Sequence, residues 1–243
     1  MTQEKTSKTN TTFKYLDIIM VTYVTVLVLS NIASSAKIID WGINLGAIPL
    51  SFDAGTLLFP ISYILGDVIT EVYGFRRSRR IIWIGFGTLI FSALVFWLVK
   101  MLPGEASWQK SVGQEAYNQV LGGMSSGGII LASLAGYFVG SFSNAILMAV
   151  MKVMTKGKYL WTRTIGSTIV GEAVDTFTFI FVATLVGVFP WTLFWSLTVT
   201  NYIFKVAFET LVTPFTYLVV NGLKQAEGMD VFEEAQNLNP FKF

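Results

Sequence analysis

Asp67 and Glu71 stand four residues apart, Glu172 and Asp175 three apart, and Asn201, Lys205 and Glu209 recur every fourth residue. On a helix each set falls on one face. Carboxylates grouped in this way accept paired N–H donors, hold a cation or carry a proton. Asn31, set among small and hydroxyl residues, adds an amide that both donates and accepts. The remaining chemical inventory is narrow. The 243 residues include neither Cys nor His, which excludes disulfides and Cys nucleophiles and disfavours zinc or iron sites and His acid–base chemistry. No G-x-x-x-x-G-K-[ST] or G-x-S-x-G motif occurs, so the chain does not hydrolyse ATP itself and is no serine hydrolase. A net charge of +2 is too small to suggest nucleic-acid binding. Neither a cofactor nor a metal is expected.

These polar residues are embedded in apolar sequence. The chain is 53% hydrophobic and 13% charged, whereas soluble domains carry about 25% charged residues. A helix needs about 20 apolar residues to cross the roughly 30 Å hydrocarbon layer. Six stretches qualify, at 16–39, 54–73, 81–102, 127–151, 165–189 and 191–220. None alternates with the period of a strand. The expected fold is an all-α integral membrane protein built as a six-transmembrane-helix bundle.

The cationic residues orient that bundle. Lys5, Lys8 and Lys14 precede the first span; Arg76, Arg77, Arg79 and Arg80 follow the second. Lys152, Lys156, Lys158 and Arg163 follow the fourth, and Lys224 and Lys242 the sixth. The opposite connections hold only Lys37, Lys100 and Lys110. The positive-inside rule then places both termini in the cytoplasm of a multi-pass protein of the cell membrane. Residues 1–14 read as a disordered cytoplasmic tail, 15–222 as the transmembrane domain and 223–243 as a cytoplasmic C-terminal tail. Residues 33–36 resemble a signal-peptidase site, but the length of the first run, with Asp17 and Asn31 inside it, favours a retained helix.

An ionisable group at membrane depth costs about 2.5 kcal/mol or more, so the five carboxylates named above and Lys205 should face the bundle interior. Pairing of Lys205 with Asp175 or Glu209 would account structurally for one or two of them. The surplus calls for protonation, water or a cationic or donor-rich ligand. Pro60 is expected inside the second span, where it would free the Thr56 carbonyl, with Asp53 as N-cap and Pro214 as a kink in the sixth. Gly136 and Gly140 form a G-x-x-x-G pair suited to close helix packing. Residues 103–126 read as one long external loop whose glycines, from Gly122 on, give flexibility or a lid hinge. No repeat relates the two halves.

The run Phe59-Pro60-Ile61-Ser62-Tyr63-Ile64-Leu65-Gly66-Asp67, followed by Glu71-Val72-Tyr73-Gly74 and Arg79-Arg80, resembles the signature of the queuosine-precursor transporter family. Thr162-Arg163-Thr164-Ile165-Gly166-Ser167 with Asp175, Asn201-Tyr202-Ile203-Phe204-Lys205 and Ser30-Asn31 extend the resemblance over 16–220. It implies a six-helix fold similar to the S components of energy-coupling-factor transporters. It also implies a transporter rather than an enzyme, importing 7-cyano-7-deazaguanine or 7-aminomethyl-7-deazaguanine for tRNA queuosine salvage. The candidate substrate-binding residues are Asn31, Asp67, Glu71, Glu172, Asp175, Asn201 and Lys205; at position 71 members also carry a basic residue.

A deazaguanine presents adjacent N–H donors beside a carbonyl. A carboxylate among Asp67, Glu172 and Asp175 would accept the donors, with Asn31, Asn201 or Lys205 helping and aromatic side chains covering the flat faces. The expected partners are this small molecule and the lipid bilayer, a homodimer or an energy-coupling module being left open. Two other readings remain: an S component for another vitamin-like molecule, driven by an ATP-consuming partner, and an intramembrane enzyme relying on carboxylates alone.

Overall fold

A computed structural model describes residues 13–45, 48–125, 127–187, 190–228, 230–231 and 238–242. In chain order these form α1 (Leu16–Ala36), β1 (Ile38–Leu45), β2 (Ile48–Asp53), α2 (Phe59–Val68), a π-helical turn (Ile69–Tyr73) and α3 (Phe75–Met101). There follow α4 (Ala106–Ser111), α5 (Gly113–Ser125), α6 (Gly127–Met154), α7 (Leu160–Leu185) and α8 (Phe194–Glu227). Among the described residues, five helical runs are long and apolar enough to cross a bilayer: α1, α3, the run containing α5 and α6, α7 and most of α8. On α8 the polarity is inverted relative to a soluble helix: Leu211 and Leu218 are 79% and 73% exposed, whereas Glu209 and Thr213 are buried. Such a surface suits a lipid solvent, and the chain is a multi-pass membrane protein.

The second expected span is shorter than its apolar run. The ten residues of α2 and five of the π-helical turn cover about 20 Å at helical rise. Pro60 lies in the first turn of α2, where a missing N–H leaves no helical bond unmade, and not in the helix interior as the sequence suggested. Asp53 ends β2, and its side chain lies outside the described residues, as do residues 1–12 of the tail expected to be disordered. The expected helical architecture holds for the bundle, and a single antiparallel hairpin of β1 and β2 is added to it, with Ile38 opposite Asp53 and Leu45 opposite Ile48. Extended backbone at Lys37 (φ −155°) ends α1, and the isoleucines that follow suit a strand.

The long external connection is also largely helical. Glu105 caps α4 by accepting from the backbone N–H groups of Ser107 (2.7 Å) and Trp108 (2.9 Å). The next helix, α5, packs on α1 and α3. Gly122 and Gly123 sit inside α5. A Cβ on Gly123 would lie 2.6 Å from Ser35 Oγ, so the glycine admits the end of α1.

One end of the bundle gathers most of the cationic segments. Glu227, closing α8, accepts from Lys14 N (3.0 Å), Tyr15 N (2.9 Å) and Tyr73 Oη (2.9 Å). Beside it Arg163 grips Glu71 through two bonds of 2.7 Å, and Lys224 reaches the same carboxylate at 2.6 Å. The C-terminal segment folds back onto this end. Lys152 binds Asp230 (2.6 Å), Arg79 donates to Asn239 O (2.8 Å) and Trp83 to Pro240 O (2.9 Å).

Candidate functional site

Between α1, α2, α3, α6, α7 and α8 lies a cavity of about 480 Å³, extending from Thr70 and Ser78 to Ser35 and Leu197. Small-molecule sites run to about 300–1,000 Å³. Its most polar wall is made by α2, α7 and α8. There Asp175 Oδ2 accepts from Lys205 Nζ (2.6 Å) and Tyr63 Oη (3.0 Å). Lys205 Nζ also lies 3.1 Å from Glu172 Oε2, off the hydrogen-bonding direction. The ammonium stands over the rings of Phe59 (5.7 Å) and Tyr63 (5.8 Å), whose faces favour a cation.

Glycines on α6 and α7 make this wall. A Cβ on Gly136 would meet Asp175 Oδ1 at 2.9 Å, and one on Gly140 would meet Asp175 Cβ at 2.5 Å. The G-x-x-x-G pair therefore packs α6 against α7 and sets the depth of Asp175. One turn further on α6, Asn144 approaches Gly171 of α7, where a Cβ would lie 2.8 Å from the Asn Cβ.

Of the seven residues singled out from sequence, Asn31, Asp175, Asn201 and Lys205 line the cavity. Asn31 donates its amide to Leu27 O (2.8 Å). Asp67 is buried beside the cavity, its Oδ1 accepting from Asn144 Nδ2 at 2.8 Å. Glu172 lies behind Asp175 on α7 and is 1% exposed, and neither of its oxygens has a hydrogen-bond partner among the described residues. Glu71 is outside the cavity, wholly enclosed by Arg163, Lys152 and Lys224. Lys205 pairs with Asp175, as one of the two options had it. Glu209, the other option, instead meets Thr168 at 2.6 Å.

The structure adds residues that sequence reasoning passed over. Tyr63 sits one turn before Asp67, on the face already identified, and its spacing was a usable signal. Asn144 and Thr176 both line the cavity, and each carries a buried oxygen without a partner among the described residues. A lone Asn within the apolar run of α6 was the clue to the first. Thr176 gave none, since a helical Thr commonly satisfies itself on its own backbone.

Comparison with known proteins agrees with this architecture. The family model described as "Putative vitamin uptake transporter" matches residues 53–219, which includes the α2, α7 and α8 walls of the cavity. The chain is 27% identical over 169 residues to a Bacillus subtilis (strain 168) protein named "Probable queuosine precursor transporter", covering 69% of this chain and 71% of that one. No solved structure matches. A membrane bundle around a cavity with one polar wall, matched over most of its length, makes this chain a transporter and a member of the vitamin uptake transporter family.

Proposed function

We propose that the protein imports queuosine precursors of the 7-cyano- and 7-aminomethyl-7-deazaguanine class across the cell membrane for tRNA queuosine salvage. One observation carries the choice of ligand: the wall around Asp175 is rich in uncommitted acceptors. Among the described residues, Asp175 Oδ1 takes no hydrogen bond, and Asn144 Oδ1 and Thr176 Oγ1 are buried without partners. A buried acceptor left unmade costs about 1–3 kcal/mol, so this wall favours a ligand with adjacent N–H donors. The guanine-like edge of a deazaguanine has them. In this reading Asp175 receives the donor edge, Lys205 or Asn201 serves the carbonyl, Asn31 closes the far side, and Tyr63 or Phe59 covers a ring face. Asp67, Glu71 and Glu172 support the site from outside the cavity. The name of the Bacillus relative favours the same substrate class.

The same reading has six spans, the short α2 with its π-helical turn being the second, with both termini cytoplasmic. The transport domain covers 15–222, between two tails. Gathering of Lys14, Lys152, Arg163 and Lys224 at one end supports that orientation. The test is uptake of labelled deazaguanines into vesicles containing only this protein. Accumulation without ATP is expected, with Asp175→Asn abolishing it at unchanged expression. Normal transport by that variant would overturn the assignment of Asp175. Uptake that requires an added ATP-driven module would point instead to an S component.

A further inference from the structure

One helical turn from Lys205 and Glu172, away from the cavity's polar wall, two more carboxylates meet. Asp67 of α2 and Glu209 of α8 are 1% and 6% exposed, and their carboxyl groups lie within hydrogen-bonding reach of each other. Neither makes an ion pair among the described residues. Lys205, four residues before Glu209, is engaged by Asp175 and Glu172, and Arg163 is engaged by Glu71. Glu71, from the turn after α2, and Glu172, from α7, also face the pair, and Lys205 shares the lining of a small pocket with Glu209.

The hydrogen-bond count supplies a second observation. Thr168 Oγ lies 2.7 Å from Thr164 O and 2.6 Å from Glu209 Oε1. A hydroxyl has one proton and can donate to one of these acceptors only. A proton on Glu209 resolves the conflict: Thr168 donates to Thr164 O, and Glu209 supplies the proton on its other contact. Across the pair, Asp67 accepts from Asn144 Nδ2 at 2.8 Å, which fixes the amide with Oδ1 as its acceptor end. That oxygen is buried and has no partner among the described residues, and Asn144 lines the cavity.

We propose that Asp67 and Glu209 form a proton site distinct from the substrate site, and that Asn144 links its occupancy to the cavity. Removing the proton from Glu209 would leave two adjacent carboxylates with no cation between them, and close packing of α2 on α8 could not hold them. The packed arrangement that presents Asn144 Oδ1 to a donor-rich ligand is thus the arrangement that holds the proton. Two ligands that bind the same arrangement favour each other. The inference rests on the transport reading above and makes the protein a proton-coupled importer.

Two measurements test it separately. In purified protein, infrared absorption should show a protonated carboxyl at neutral pH that Glu209→Gln removes; a spectrum unchanged by Glu209→Gln and by Asp67→Asn would overturn the proton site, whatever the substrate. In vesicles held at zero membrane potential, one unit of acid on the outside should raise accumulation of labelled 7-cyano-7-deazaguanine about tenfold for one proton per molecule. Glu209→Gln should keep exchange at equal pH on both sides yet lose the response to the gradient. Wild-type exchange that ignores the gradient would overturn the coupling. Absence of any wild-type exchange would instead overturn the substrate, with the infrared band still deciding the proton site.

Discussion

Lys205 stands between two carboxylates, 2.6 Å from Asp175 and 3.1 Å from Glu172. Lys205→Met leaves both uncompensated and should destabilise the protein by about 3–5 kcal/mol, read as a fall in the thermal midpoint in detergent. Arg163→Met should do the same by stripping Glu71 of its two-pronged partner, but its surviving folded fraction should still bind substrate because Glu71 is outside the cavity. A binding defect larger than the stability defect would place Glu71 in the site after all. The partners of Glu71 were not legible in the sequence, because Arg163 lies 92 residues away and stood out only as one of several cations in a connection and as part of a family-like run, with nothing tying it to Glu71. That Lys205 pairs with an acid was legible, since an intramembrane Lys must have an acidic partner, but the choice of Asp175 over Glu209 was not.

At the scale of elements, glycine decides where α7 sits. Gly140→Ala places a methyl 2.5 Å from Asp175 Cβ and should cost about 1–3 kcal/mol through overpacking, while also displacing Asp175 and weakening substrate binding. Gly87→Ala on α3 is the control: a Cβ there meets nothing within 4 Å, and about 0.5–1 kcal/mol of helix stabilisation is expected. Equal effects of the two on binding would refute a positioning role for Gly140. The capping of α4 should depend on pH. Backbone N–H groups of Ser107 and Trp108 hold the Glu105 carboxyl below its usual range, so its stabilisation is present above the unfolded value and lost as pH falls through the lowered one. Hydrogen exchange in α4 should rise in acid, and Glu105→Gln should flatten that rise.

For the whole molecule, the C-terminal segment straps the cationic end. Burial would raise the Asp230 carboxyl, but hydrogen bonds from Lys152 and Lys224 outweigh it and hold it below the usual range. By the same sign the strap is secure above the unfolded carboxylate value and released as pH falls through the lowered one. Proteolysis near residue 230 should therefore accelerate in acid, and Asp230→Asn should make it fast at all pH values. Orientation is testable cleanly because the chain has no native Cys. A membrane-impermeant thiol reagent added outside intact cells should label Lys100→Cys and spare Lys156→Cys; the reverse pattern would invert the topology.

The membrane-spanning helices, the interior placement of the charged stripes and the close helix packing at Gly136 and Gly140 all follow from local sequence, because lipid punishes exposed polar groups and a helix displays its period over any long run; that α7 is the helix packed there does not. Hydropathy could not tell that the first helix ends before residues 38 and 39, that the connection after it forms a hairpin or that α2 stops short, since apolar content reports burial and not backbone state. Nor could it sort the carboxylates. Asp175 reaches the cavity, Glu172 stands behind it, Asp67 meets Glu209, and Glu71 is enclosed by cations. That division was made by contacts between helices distant in sequence, and only the tertiary structure decided it.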